Sequence, residues 1–128
     1  MSELKSKKVL VVDDQKSMRG LLRFALLQMG FETIDGAESG EEAIKKLTTV
    51  RYDLIITDMH MGGVSGLGLL KAIRQHPVLR HTPVIMATSE TSSDTVRQAK
   101  QLGVDAFILK PVDPNALQLR VKTVLKAA

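Results

Sequence analysis

The chain alternates between short, wholly apolar runs and longer stretches in which apolar residues return every three or four positions. Val9-Leu10-Val11-Val12, Leu54-Ile55-Ile56, Val84-Ile85-Met86-Ala87 and Phe107-Ile108-Leu109 are strand-sized and rich in β-branched residues, which predicts strands buried on both faces. With a shorter run at Phe31, the predicted strands are 8–12, 31–34, 53–58, 83–88 and 106–109. Helical spacing fills the gaps. Met18, Leu21, Leu22, Ala25, Leu26 and Met29 form one stripe, stopped by Gly30. Ser39 and Glu42 form a capping box ahead of Ala43, Ile44, Leu47 and Val50. Leu67, Leu70 and Ile73 precede Pro77, and Val96, Ala99 and Leu102 precede Gly103. Asp113 and Pro114 open a last helix with Leu117, Val121, Val124 and Leu125 inward. Five strand and helix alternations predict an α/β fold: a single doubly wound, five-stranded parallel sheet with five helices over its two faces. With no linker or repeat, residues 1–128 read as one domain.

Polar residues stand at the downstream ends of these runs: Asp13 and Asp14, Asp58, Thr88 and Lys110. Parallel strands would bring them to one sheet edge, where open α/β folds bind ligands. Any single Asp there has an ordinary reading as a helix N-cap. Together, three carboxylates, a hydroxyl and an ammonium suit Mg²⁺-dependent phosphoryl chemistry. Like charges a few ångström apart repel by about 4 kcal/mol per pair at an effective dielectric near 20, so the cluster calls for a cation. Asp14 and Asp58 can supply carboxylates to Mg²⁺, and Asp13 can hold a metal-bound water.

Composition narrows the partners. Zero Cys excludes a disulfide framework or thiolate metal site, and the start of the chain lacks the apolar stretch of a secretory signal. No apolar run approaches a membrane span, so a cytoplasmic protein without membrane insertion is expected. The charge of +4 comes from 18 Lys and Arg spread evenly along the chain, and aromatics make up only 3%. Neither a basic patch nor a stacking platform is encoded, which disfavours nucleic acid.

Val11-Val12-Asp13-Asp14, the Asp58 strand followed by Gly66, Thr88 and Lys110-Pro111 resemble the receiver domain of bacterial two-component response regulators, over essentially the whole chain. The stand-alone length and Met18-Arg19 resemble its CheY-like members. The resemblance implies the flavodoxin-like strand order 2-1-3-4-5. It also implies a phosphorelay switch in which Asp58 accepts a phosphoryl group from a histidine kinase or phosphotransfer protein, with chemotaxis as one setting.

By the same resemblance Asp14, Asp58 and the backbone carbonyl of His60 hold Mg²⁺ with support from Asp13, while Thr88 and Lys110 bind the phosphoryl oxygens. The Lys110-Pro111 bond is expected to be cis. Thr88 and Phe107 would carry the change to a face formed by the fourth helix, fifth strand and fifth helix, which binds an effector protein. Phosphoryl transfer is then self-directed and reversed by autodephosphorylation, without the separate substrate of an enzyme. A monomer is expected, with dimerisation through the switched face left open.

Gly62 departs from the family, which commonly has Pro there. With Gly63, Gly66 and Gly68 close by, it reads either as a looser loop or as a tight turn needing positive φ. His60 and Glu90 would overhang the phosphoryl group and set its lifetime. His76 and His81 read as surface residues. An aspartyl hydrolase with external substrates, a flavodoxin-type cofactor binder and a phosphate sink are the competing readings. The hydrolase lacks an encoded cap and a good second acid or base, and Asp14-Gln15-Lys16-Ser17 is a poor phosphate loop for a flavodoxin relative.

Overall fold

The computed structural model describes residues 2–89 and 94–127. In chain order the elements are α1 (Ser2–Lys5), β1 (Lys8–Val12), α2 (Lys16–Met29), β2 (Thr33–Ala37), α3 (Gly40–Leu47), β3 (Leu54–Asp58), α4 (Gly66–Gln75), β4 (Val84–Thr88), α5 (Asp94–Gln101), β5 (Ala106–Leu109) and α6 (Pro114–Ala127). The five strands form one sheet in the order β2-β1-β3-β4-β5, and every pairing is parallel. The expected architecture and strand order are therefore present. None of the helices among the described residues is long and apolar enough to cross a membrane.

Strand alternation builds two cores from the same strands. Val9, Val11, Leu54, Ile56 and Ile85 face one side, where Leu22, Ala25 and Leu26 of α2 and Leu117 and Val121 of α6 cover them. Leu10, Val12, Ile55, Val84 and Met86 face the other, beneath Ala43 and Leu47 of α3, Leu69, Leu70 and Ile73 of α4 and Val96 and Ala99 of α5. β3 and β4 are buried along their whole length, which is why they read as continuous apolar runs and not as alternating ones.

Two expectations need correcting. Helix α1 brings the count to six, so the helices expected as the fourth and fifth are α5 and α6. This opening turn is held by a bond from the Lys7 N–H to the Leu4 carbonyl, with Leu4 partly buried on the core. The second strand starts later than 31. Gly30 and Phe31 are still donating to the Leu27 and Leu26 carbonyls that close α2, and the chain extends only from Thr33, continuing through Asp35 and Gly36. Its position at the sheet edge lets those two residues stand in a strand.

The expected caps form. The Ser39 hydroxyl accepts from the Glu42 N–H at 3.1 Å, and the Asp113 carboxylate accepts from the Ala116 N–H at 3.0 Å. At the sheet edge where β4 and β5 begin, Arg74 ties three segments together. Its guanidinium donates to the carbonyls of Arg80, Thr82 and Gly103 and to the Asp105 carboxylate at 2.9 Å. Asp105 also accepts from the Val84 N–H at 2.7 Å.

Candidate phosphoryl and metal site

Parallel pairing puts the ends of β1, β3, β4 and β5 side by side at the opposite edge of the sheet. Asp13 and Asp14 leave β1, Asp58 ends β3, Thr88 ends β4, and Lys110 follows β5. The strand order reverses direction at β1 and β3, the point where a doubly wound sheet opens a crevice.

Asp13, Thr88 and Asp58 are 1, 2 and 8% exposed, whereas Asp14 and His60 are exposed. Lys110 Nζ lies 2.9 Å from Asp58 Oδ1 and 3.4 Å from Asp13 Oδ2. The other Asp13 oxygen accepts from the Gln15 N–H at 2.9 Å. Burial raises the Asp13 pKa and the Asp58 charge adds to this, against the pull of the Gln15 N–H and Lys110. Burial alone would lower the Lys110 pKa. Its hydrogen bond to Asp58 and the charges of Asp13 and Asp58 outweigh that and leave it raised.

Asp13, Asp14 and Asp58 each offer a carboxylate oxygen, and the three oxygens lie within 4.8 Å of one another. Hard oxygen donors at this spacing, with one ammonium beside them, fit Mg²⁺ better than a softer metal. The structure thus brings together Asp13, Asp14, Asp58 and Lys110 by measured contacts, and Thr88 by its place at the next strand end. The Lys110-Pro111 bond is cis, as the resemblance implied.

Gly66 explains how the end of the Asp58 strand can sit so close to α4. A Cβ added there would stand 2.0 Å from the Asp58 carbonyl oxygen, so no other residue fits without moving the strand. Its N–H donates to the Met59 carbonyl at 3.0 Å, and the Ser65 hydroxyl caps the helix by accepting from the Gly68 N–H. The preceding loop takes the tight-turn form at Gly63, with φ +71° and Glu41 Oε1 accepting from the Val64 N–H at 3.3 Å.

Phe107 is half-buried against the α3–α5 core, and His60 is exposed on the segment after Met59. Glu90 lies outside the described residues. Sequence reasoning missed a role for Arg19, whose Nη1 donates to the Asp13 main-chain carbonyl at 2.8 Å. Only its position six residues after Asp13, on the first turns of a helix, hinted at this.

The family model described as Response regulator receiver domain matches residues 9–122. The chain belongs to the response regulator receiver family. This receiver domain is 33% identical over 119 residues to the chemotaxis protein CheY of Pseudomonas aeruginosa, covering 93% of this chain and 96% of that one. It is 38% identical to the transcriptional regulatory protein ResD of Bacillus subtilis, of which it spans 52%. The solved structure of the chemotaxis response regulator CheY4 of Vibrio cholerae superposes with a TM-score of 0.86 at 33% identity, over 92% of this chain and 98% of that one. The receiver domain is a signalling phosphoacceptor, a phosphorylation-activated switch in a two-component system. Receiver domains bind Mg²⁺ through acidic residues and interact with histidine kinases and downstream effectors, and an Asp cluster able to hold such an ion is present here.

Proposed function

We propose that Asp58 is the phosphoacceptor of this receiver domain, which spans residues 1–128. The observation that carries this reading is the pairing of the nearly buried Asp58 carboxylate with Lys110 at 2.9 Å, inside the three-carboxylate cluster. An Asp58 oxygen attacks the phosphorus of a phosphohistidine. The O–P bond to Asp58 forms, the N–P bond breaks, and the imidazole keeps the electron pair and takes up a proton. The product is an aspartyl phosphate, a mixed anhydride.

Asp14, Asp58 and the His60 carbonyl would hold Mg²⁺, with Asp13 supporting them, and the ion would supply charge neutralisation to the phosphoryl oxygens. Lys110 then exchanges a carboxylate partner for a phosphoryl oxygen, and the Thr88 hydroxyl donates to another. Because the Lys110 contact to the phosphoryl group exists in only one of the two states, it can bias a conformational equilibrium. Thr88 moves inward, Phe107 turns from its half-buried position, and the α5-β5-α6 face changes.

That face is the docking surface for the effector. Leu109 on β5 and Leu119 on α6 are 53 and 65% exposed, which suits a protein partner. Water attack on the aspartyl phosphate resets the switch, with His60 beside its path. Resemblance to chemotaxis proteins favours a motility output, and a cytoplasmic monomer suits that role. The experiment is direct: treat wild type and Asp58→Asn with a small phosphodonor and Mg²⁺, and measure intact mass. A phosphate adduct on wild type alone is expected, whereas an equal adduct on Asp58→Asn overturns the assignment.

A further inference from the structure

Lys110 is not the only cation that touches the acidic pair. Arg19 Nη1 donates to the Asp13 carbonyl at 2.8 Å, and its Nη2 lies 3.8 Å from Glu38 Oε2. The stem of Arg19 crosses bare backbone at Gly36, where an added Cβ would stand 3.4 Å from Arg19 Cδ. Glu38 is itself held, since its N–H donates to Glu42 Oε1 at 2.6 Å in the first turn of α3. A continuous path therefore runs from α3 through Glu42, Glu38 and Arg19 to the Asp13 carbonyl.

That carbonyl belongs to the planar peptide joining Asp13 to Asp14, so its orientation sets where the Asp14 Cα stands. Asp13 is already fixed by burial, by the Gln15 N–H and by Lys110. Asp14 is exposed and depends on its backbone for placement. We propose that Arg19 is a positioning residue for divalent-cation binding: by pinning the Asp13-Asp14 peptide it presents the Asp14 carboxylate to a cation shared with Asp13 and Asp58. The inference rests on the acidic cluster being the Mg²⁺ site.

Charge and position act in opposite directions at Arg19, and this makes the proposal testable by sign. Removing a cation beside three carboxylates would by itself tighten Mg²⁺ binding. Removing a group that orients a ligand weakens binding, by about tenfold for outer groups around a metal. The experiment is calorimetric titration of the unphosphorylated full chain with Mg²⁺, for wild type, Arg19→Ala, Arg19→Lys, Glu38→Gln, Asp14→Ala and Arg23→Ala. Arg23 is the control, a cation of the same helix that donates to the Ile34 carbonyl at 2.6 Å.

Arg19→Ala is expected to bind Mg²⁺ about tenfold more weakly, with Arg19→Lys intermediate, because one ammonium cannot reproduce the fork between Asp13 and Glu38. Arg23→Ala should match wild type. In metal-free amide spectra the Asp14 and Gln15 signals of Arg19→Ala should move, since the Asp14 N–H belongs to the peptide that Arg19 pins and Gln15 follows it. Phosphodonor labelling at saturating Mg²⁺ should return to the wild-type extent. Unchanged or tighter Mg²⁺ binding in Arg19→Ala overturns the proposal. If that variant does not fold, wild-type affinity in both Arg19→Lys and Glu38→Gln overturns it instead. Wild-type affinity in Asp14→Ala would remove the metal-site reading itself, a result distinct from failure at Arg19.

Discussion

Asp13 and Lys110 both make the metal-free protein less stable as pH rises, each over its own range of pH. The pKa of Asp13 is raised when folded, so the folded chain holds that proton more tightly. Its stabilising effect is present at low pH and is lost as pH climbs from the ordinary 3.8 through the raised value. Lys110 is also raised, so its contribution is complete below 10.5 and fades only as pH passes its folded value. Asp13→Asn is thus expected to stabilise the metal-free protein at neutral pH by about 1 kcal/mol, through relief of desolvation and repulsion. Urea midpoints at neutral pH and at about pH 3 check this, because the advantage should vanish where the carboxyl is protonated in both states. Lys110→Ala is expected to accept phosphate on Asp58 yet fail to switch, which amide spectra of the labelled variant would reveal. Gly66→Ala should lose about 3 kcal/mol or more and disturb the site, since its Cβ would stand on the Asp58 carbonyl. Gly62 has nothing within 4 Å of an added Cβ and no positive φ; Gly62→Ala should therefore gain about 0.4–1 kcal/mol through the unfolded chain. The polar site was legible in the sequence because each member follows an apolar run, whereas Arg19 acts through a backbone carbonyl and a carboxylate on another loop, neither of which leaves a local pattern.

Among the elements, buried strands were the easiest to read and the edge strand the hardest. β3 and β4 spell out their burial, but β2 carries Asp35 and Gly36 and hides its extent. Helix α1 has four residues, too few to show a period. Arg74 was invisible for another reason: its partners are carbonyls from two loops and a carboxylate 31 positions away. It binds α4, the loop before β4 and the turn into β5 as one unit. Arg74→Ala should lose about 2–3 kcal/mol of stability, read from a lowered urea midpoint, since it strands several acceptors and leaves Asp105 without its cation. Arg74→Lys should recover little, as one ammonium cannot serve four directions. Because this staple lies at the other end of the strands from Asp58, the yield of phosphate adduct should stay at the wild-type level in folded Arg74→Ala.

At the scale of the whole molecule, a ligand that binds only the folded chain adds stability that grows with its concentration. Mg²⁺ is expected to raise the melting temperature of wild type, and Asp14→Ala should lose most of that rise, as a thermal melt across a Mg²⁺ series would show. The acidic ligands come from both sides of the β1 and β3 junction, so this linkage reports the central sheet as well as the site. The bond between Lys110 and Asp13 has a further meaning, because its two ends are 97 positions apart. A ribosome releases Asp13, Asp14 and Asp58 long before Lys110, and β5 emerges after the other four strands. A chain that has not yet reached Lys110 can therefore display its carboxylates but not the ammonium proposed to couple phosphorylation of Asp58 to a change of shape. On the proposed reading, the chain can carry a signal to a partner only once β5 and Lys110 have joined the sheet.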